Sequence, residues 1–560
     1  MDHVTARPWD IFPDHVLLDP EDDGFGPSPT FEACLNAHGM YETMRFVLRL
    51  SPRNHELMES LELGEASVAE ISSEALQAYA TYVHETVHWW QHVGSTSGLI
   101  FSLSYLAQCH SSLAQLREVL ATYGPKKSLK TWTDRELIEE GHSAQARLAA
   151  ANIAVNNALD VEYYKIYAHD PVRNVRWLID QRHFECVGHG YHMVYGQLVG
   201  MLSDTADEDF AVIPDARAWD AEFARLARDE VEGYFHGSSV HVPPVGLHAI
   251  YEGQARFIQL QFLSRTRAGA PSYEDWRKMG FLSGIYVEAF DQFLYLSQSG
   301  QPESLDDPLI GLFLLVCDLA INPTRGFPID IESFEEFVTD VDVGVRFTRL
   351  SLATRAHPHL RAAIRDFSQK EYIEVSEVLT GATGYDHPLA ALNEIARWVA
   401  AAPRIQRLMA EYETFEFDPM NMPLRVFFSH FIAFALDKLE HPEFFCWPGA
   451  QMVGTNVNAG TMTLWLKHLS LFTDRGDKRG VYPRRWPGRD ERAIQHMFEQ
   501  FYSMTTLYDL TRQWILRDGD FICDFDWLSS EPSDERAWAW ADAIFQQAYG
   551  VALSDFEIVA

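Results

Sequence analysis

The stretch SEALQAYATYVHETVHWWQHVG, residues 73 to 94, decides how the rest of the chain is read. Leu76, Tyr79, Ala80, Val83, Val87 and Trp90 recur at three- and four-residue spacing, which gathers them on one side of a helix. Ser72 or Ser73 suits the N-cap, Glu74 puts a negative charge in the first turn, and Gly94 stands where a C′ glycine ends a helix. The pattern predicts one helix over 74–93. Inside it lies His84-Glu85-Thr86-Val87-His88. Imidazoles four residues apart stand above one another on a helix face, and together can hold one Zn²⁺ at about 2.0–2.1 Å each. Glu85 falls on the adjacent flank, where it serves as a general base toward metal-activated water and not as a ligand. The bland reading is a pair of surface histidines. Tyr82, Trp89 and Trp90 argue for burial instead, and buried histidines need partners.

Working outward, helical periodicity predicts further helices near 99–122, 133–168, 174–203, 216–232, 246–265 and 274–298. The pattern weakens over 320–345 and resumes near 386–414, 424–440, 459–472, 490–516 and 534–548. Thr43 to Leu50 alternates and reads as a strand ended by Pro52. The expected fold is mainly α, with a small N-terminal sheet beside the HExxH helix. Three regions are expected: an N-terminal arm and sheet region at 1–72, with 1–30 extended over the surface; a helical catalytic domain at 73–325; and a helical regulatory or partner-binding domain at 340–560. The Gly/Pro-rich basic stretch from Asp474 to Arg489 reads as a solvated loop.

A catalytic zinc needs a third protein ligand and an open position. The best carboxylate is Glu252 in HAIYEGQAR, residues 248 to 256, where the small residues Gly253 and Ala255 would let a second helix approach the first. His92 continues the histidine stripe but sits about 12 Å along the helix axis from His84, too far to share one tetrahedral ion. It reads as core, or as a contact to substrate or to a ligand. His248, one turn before Glu252, has two open readings: an oxyanion or substrate contact, and a hydrogen-bonded core histidine. Tyr286 is the candidate oxyanion donor on a later helix. His183, His189 and His192 cluster in QRHFECVGHGYH as a weaker second metal candidate.

HETVHWWQ followed by a later YEGQAR resembles the gluzincin-type zinc metallopeptidases, whose pattern is HExxH, often with Gln three residues on, and a distant EGxA-like helix. Matched residue by residue, the resemblance implies that His84, His88 and Glu252 bind zinc, that Glu85 is the general base, and that Gln91 supports the ligands from behind. It covers two short segments, and the separation between them exceeds that of compact members.

Composition narrows the partners. With 45 basic and 80 acidic residues the net charge is −35, which repels nucleic acid and anionic membrane surfaces. Six scattered cysteines with no CxxC suggest free thiols, and Met1 to Asp10 lacks the features of a signal peptide, so a cytoplasmic location is expected. The apolar run Leu309 to Ile321 is too short to span a bilayer. The expected activity is zinc-dependent hydrolysis of a protein or peptide, regulated by a protein or small-molecule trigger or narrow in specificity. Two rival readings stand beside it. Glu85 to His88 is also an ExxH, half of a ferritin-like di-iron site, to which Glu162 and Glu185 would have to contribute carboxylates. A helical scaffold or receptor with a non-catalytic motif is the other.

Overall fold

The computed structural model describes residues 8–11, 38–62, 71–141, 143–529 and 533–559. Helices make up most of these residues and the strands are short, so the fold is mainly α with a small sheet at its N-terminal side. Of the arm expected at 1–30, residues 8–11 are described: the Trp9 amide donates to the Ala268 carbonyl at 2.7 Å. The rest of that segment lies outside the described residues.

The sheet lies beside the motif helix. Gly39–Glu42 runs antiparallel to Val47–Leu50, which pairs in parallel with Phe472–Thr473, and that in turn pairs antiparallel with Tyr482–Pro483. Gly39–Glu42 is therefore an edge strand among the described residues. The strand expected from Thr43 begins only at Val47. Arg45 and Phe46 both donate their amides to the Glu42 carbonyl, and Phe46 takes φ 60°, so Thr43 to Phe46 form the turn. The basic stretch 474–489 is pinned to the structure, unlike a solvated loop. The Asp474 carboxylate accepts from the Leu50 amide and stands 2.7 Å from His55 Nε2. Arg484 donates to the Ser470 carbonyl and the Tyr82 hydroxyl, and Arg489 stacks on Phe415.

The motif helix spans Ser73–Trp89, with the Ser72 hydroxyl accepting from the Ala75 amide. It does not stop at Gly94 through a left-handed cap. Trp90–Gly94 instead continue it as a π-helical turn. Gly94 is needed for a different reason: a Cβ there would come within 2.7 Å of the Phe434 ring. Ser95 then caps the next helix, Thr96–Ser111, accepting from the Gly98 amide while donating to the Gln91 carbonyl at 2.6 Å.

Several expected helices are broken. The run 133–168 divides at Gly141, φ 61°, into Leu129–Glu140 and the later Ser143–Arg147 and Ala149–His169. The run 274–298 divides at Gly280 and Gly284, both at positive φ, into Tyr273–Lys278 and Ile285–Ser297. The run 174–203 divides into Pro171–Ile179 and Val187–Ala206. Helices Val343–Ala356 and Gln369–Thr383 fill a region where no helix was expected. No helix among the described residues is long and apolar enough to cross a membrane.

Residues on both sides of 325–340 enter one hydrophobic cluster. The 340–560 region supplies Phe434, Phe444, Phe445 and Trp465 around Trp90, with ring centroids 5.3 to 5.8 Å away. The Trp90 indole N–H donates to the His468 carbonyl at 2.8 Å. Replacing Trp90 by Ala should therefore cost about 3–5 kcal/mol, from lost transfer energy and an unfilled cavity. A shift of the denaturant midpoint checks this; an unchanged midpoint would mean that the aromatic nest closes without Trp90.

Candidate metal centre

Two helices build the centre. The motif helix presents His84 and His88 on one face, and Leu247–Thr266 lies across it and presents Glu252. Gly253 serves this packing differently from the expectation. It is turned to a third helix, where a Cβ would stand 3.5 Å from Ala289 Cβ and 3.8 Å from the Tyr286 carbonyl. A Cβ there would make ordinary van der Waals contacts, so the position takes a small side chain without requiring a glycine.

The three ligand candidates converge. His84 Nε2 and His88 Nε2 are 3.0 Å apart; Glu252 Oε2 is 3.4 Å from the first and Oε1 3.3 Å from the second. Ligands bonded at 2.0–2.1 Å to one tetrahedral ion stand about 3.3 Å from each other, so these residues can hold such an ion. Among the described residues this is the group of His, Cys, Asp and Glu side chains that can do so.

Gln91 orients the set. Its amide nitrogen donates to the Tyr251 carbonyl at 3.0 Å and to Gln254 Oε1 at 2.9 Å. Its Oε1 is thereby left to accept from His88 Nδ1 at 2.8 Å. That fixes Nδ1 as the proton-bearing atom of neutral His88 and leaves a lone pair on Nε2 facing the centre. The π-helical turn that carries Gln91 is what brings it against both helices.

Charge in the cluster is shared. Burial holds the His84 imidazole below its ordinary value. Burial pushes His88 the same way, but the Glu252 carboxylate beside it overrides this and raises it to about 9. Burial works to raise Glu252, and the imidazoles, His88 foremost, hold its carboxyl well below the usual range.

Glu85 is buried and stands apart from the ligand group, against the edge strand. A Cβ on Gly39 would come within 2.8 Å of Glu85 Cγ and 2.9 Å of Oε1. Tyr286 is brought to the centre, its ring centroid 6.0 Å from that of His84. His248 stacks on His169 at 4.6 Å and is outside the converging group. His92 is core: its ring packs on Tyr41 and Tyr251, and Nδ1 is 3.1 Å from the Ser102 hydroxyl. His183, His189 and His192 face three different carboxylates, Asp134, Asp160 and Asp220, so they do not form a second metal group. Glu162 is bound by Arg512, and Glu185 lies 3.6 Å from His236.

Two residues of the site went unassigned in the sequence. Gln254 joins Gln91 as described. Arg256, one turn past Glu252, is buried, with its guanidinium 3.8 Å from the Tyr286 ring centroid and Nη1 donating to Gln259 at 2.6 Å. Both lie in the same YEGQAR segment as Glu252, at the i+2 and i+4 positions.

No protein-family model, no curated protein and no solved structure matches the chain.

Gln91→Leu removes the acceptor that orients His88 while leaving all three ligand candidates in place. Losing such a support should weaken zinc affinity about 10–100-fold. Competition with a calibrated chelator measures this, and equal affinity in the variant would deny Gln91 its role.

Proposed function

We propose that the chain is a zinc-dependent peptidase, with His84, His88 and Glu252 as metal ligands and Glu85 as general base. The convergence of those three side chains at separations that suit one tetrahedral ion carries the reading. When bound, zinc would lower the pKa of a water toward about 7 and polarise a substrate carbonyl. Glu85, one residue along from His84 and outside the ligand group, would be the group that accepts a proton from a water at the centre and returns it to the leaving amine. Tyr286 faces the same centre and offers a phenolic donor to the developing oxyanion, with the Arg256 cation behind its ring.

A peptide is the substrate that suits the surroundings best. Gly39–Glu42, the edge strand against Glu85, has backbone groups with which an extended segment can pair. The side chains of His84, His88 and Glu252 are 3%, 9% and 15% exposed, so the centre is sunken but still reachable. A folded surface would not enter it, which favours an extended or locally unfolded segment and a narrow choice of substrate. The di-iron alternative lacks its further carboxylates at the centre, since Glu162 and Glu185 are engaged elsewhere.

Elemental mass spectrometry of the purified protein should find about one zinc per chain, lost in Glu252→Ala. No metal in the wild type would leave the non-catalytic scaffold, and two irons would favour the oxidase. Glu85→Gln should keep its zinc and lose about 10²–10⁴-fold in turnover of a peptide library read by new termini. Loss of the metal in that variant would make Glu85 a ligand and sink the proposed role. Gly39→Ala, which pushes on Glu85 without touching a ligand, should lower turnover with zinc content unchanged; full activity would mean that the base does not depend on the strand.

A further inference from the structure

Lys165, on the helix Ala149–His169, is 6% exposed. Its Nζ sits 3.8 Å from the Tyr105 ring centroid and 4.6 Å from that of Phe101, with the Met44 sulfur at 3.5 Å. The other buried lysines are satisfied conventionally. Lys438 is 2.5 Å from Asp318 Oδ1, and Lys127 donates to three backbone carbonyls. The carboxylate one turn before Lys165, Glu162, is taken by Arg512. Among the described residues no carboxylate makes an ion pair with Lys165.

An ammonium buried without a counter-ion is costly, so the site favours the neutral amine. Burial pushes the Lys165 ammonium down to about 7. A desolvated lysine in an apolar pocket is the usual form of an amine nucleophile. The aromatic walls exclude water, and the cover is a methionine: Met44, in the turn between the first two strands, is half exposed and has an unbranched side chain that can swing aside. Phe101, whose ring also meets His92, separates this pocket from the candidate metal centre.

We propose that Lys165 is a nucleophilic amine site for small carbonyl compounds, which reach it past Met44 and condense with it to an imine. The Nζ lone pair attacks the carbonyl carbon, the new C–N bond forms, and both amine hydrogens leave with the carbonyl oxygen as water. No oxidant or reductant is needed. The site does not depend on the peptidase reading, and its test uses no peptidase activity.

The experiment exposes the full-length protein at pH 7 to propanal with cyanoborohydride, whose hydride fixes any imine as a secondary amine, and maps the label by peptide mass spectrometry. An ordinary lysine, with a pKa of about 10.4, is almost wholly protonated at that pH. Lys165 should therefore be labelled at least about tenfold faster than the exposed Lys278 and Lys370. Met44→Ala should speed the labelling further, and Lys165→Met should remove the fast-labelled peptide. Preference for Lys165 in the wild type, or its appearance once Met44 is trimmed, supports the site. Labelling that follows exposure alone in both proteins overturns it.

Discussion

Two imidazole nitrogens 3.0 Å apart, with a carboxylate within 3.4 Å of both, gather lone pairs and a negative charge at one buried point, which a shared cation relieves. The Glu252 carboxylate lifts His88 to about 9, while burial keeps His84 low. A divalent ion meets the same demand with more charge and with the three donors already at suitable separations. A metal held there would compete with a proton for the same donors.

The surrounding architecture follows from holding that point fixed. The helix Leu247–Thr266 must cross the motif helix at the level of His84 and His88, and Gln91 locks the crossing by bonding to Tyr251, Gln254 and His88 together. A regular α-turn would have continued the Trp90–Gly94 register; the π-turn widens it and frees the Gln91 carbonyl to accept from the Ser95 hydroxyl. The chain then leaves at a tight elbow, where a Cβ on Gly98 would fall 1.8 Å from that carbonyl. Behind the elbow the later part of the chain closes the core through Phe434 and Trp465. The motif thus rests on residues nearly 400 positions away in sequence.

The motif helix and its donors were legible because a helix converts a four-residue spacing into adjacency. Glu252 was legible as a chemical type in a helical segment. The long separation from the motif obscured its place, yet the intervening helices pack on one another and on Thr96–Ser111. The π-turn has no sequence period of its own, and Gly94 mimics a cap signal while serving a ring contact. Helix Val343–Ala356 escaped notice because its buried face is partly polar. Arg346 donates to the Ala320 and Leu319 carbonyls, and Ser351 and Thr354 donate one turn back to Phe347 and Leu350. Helix Gln369–Thr383 did carry a readable signal, the Ser368 and Glu371 capping box.

Net charge and local charge act at different ranges in this molecule. A total of −35 governs what approaches from a distance, and screening ends its reach within about 10 Å in salt. Inside, the buried Arg256 guanidinium lies close to the motif, set against Glu85 and Glu252. Charges in that interior act through a lower effective dielectric and are not screened by salt. The Arg256 guanidinium, stacked on the ring that faces His84, therefore weighs more in the potential at the centre than the many surface carboxylates do. The charge of the surface and the potential at the buried cluster are separate properties, set at different ranges by different residues.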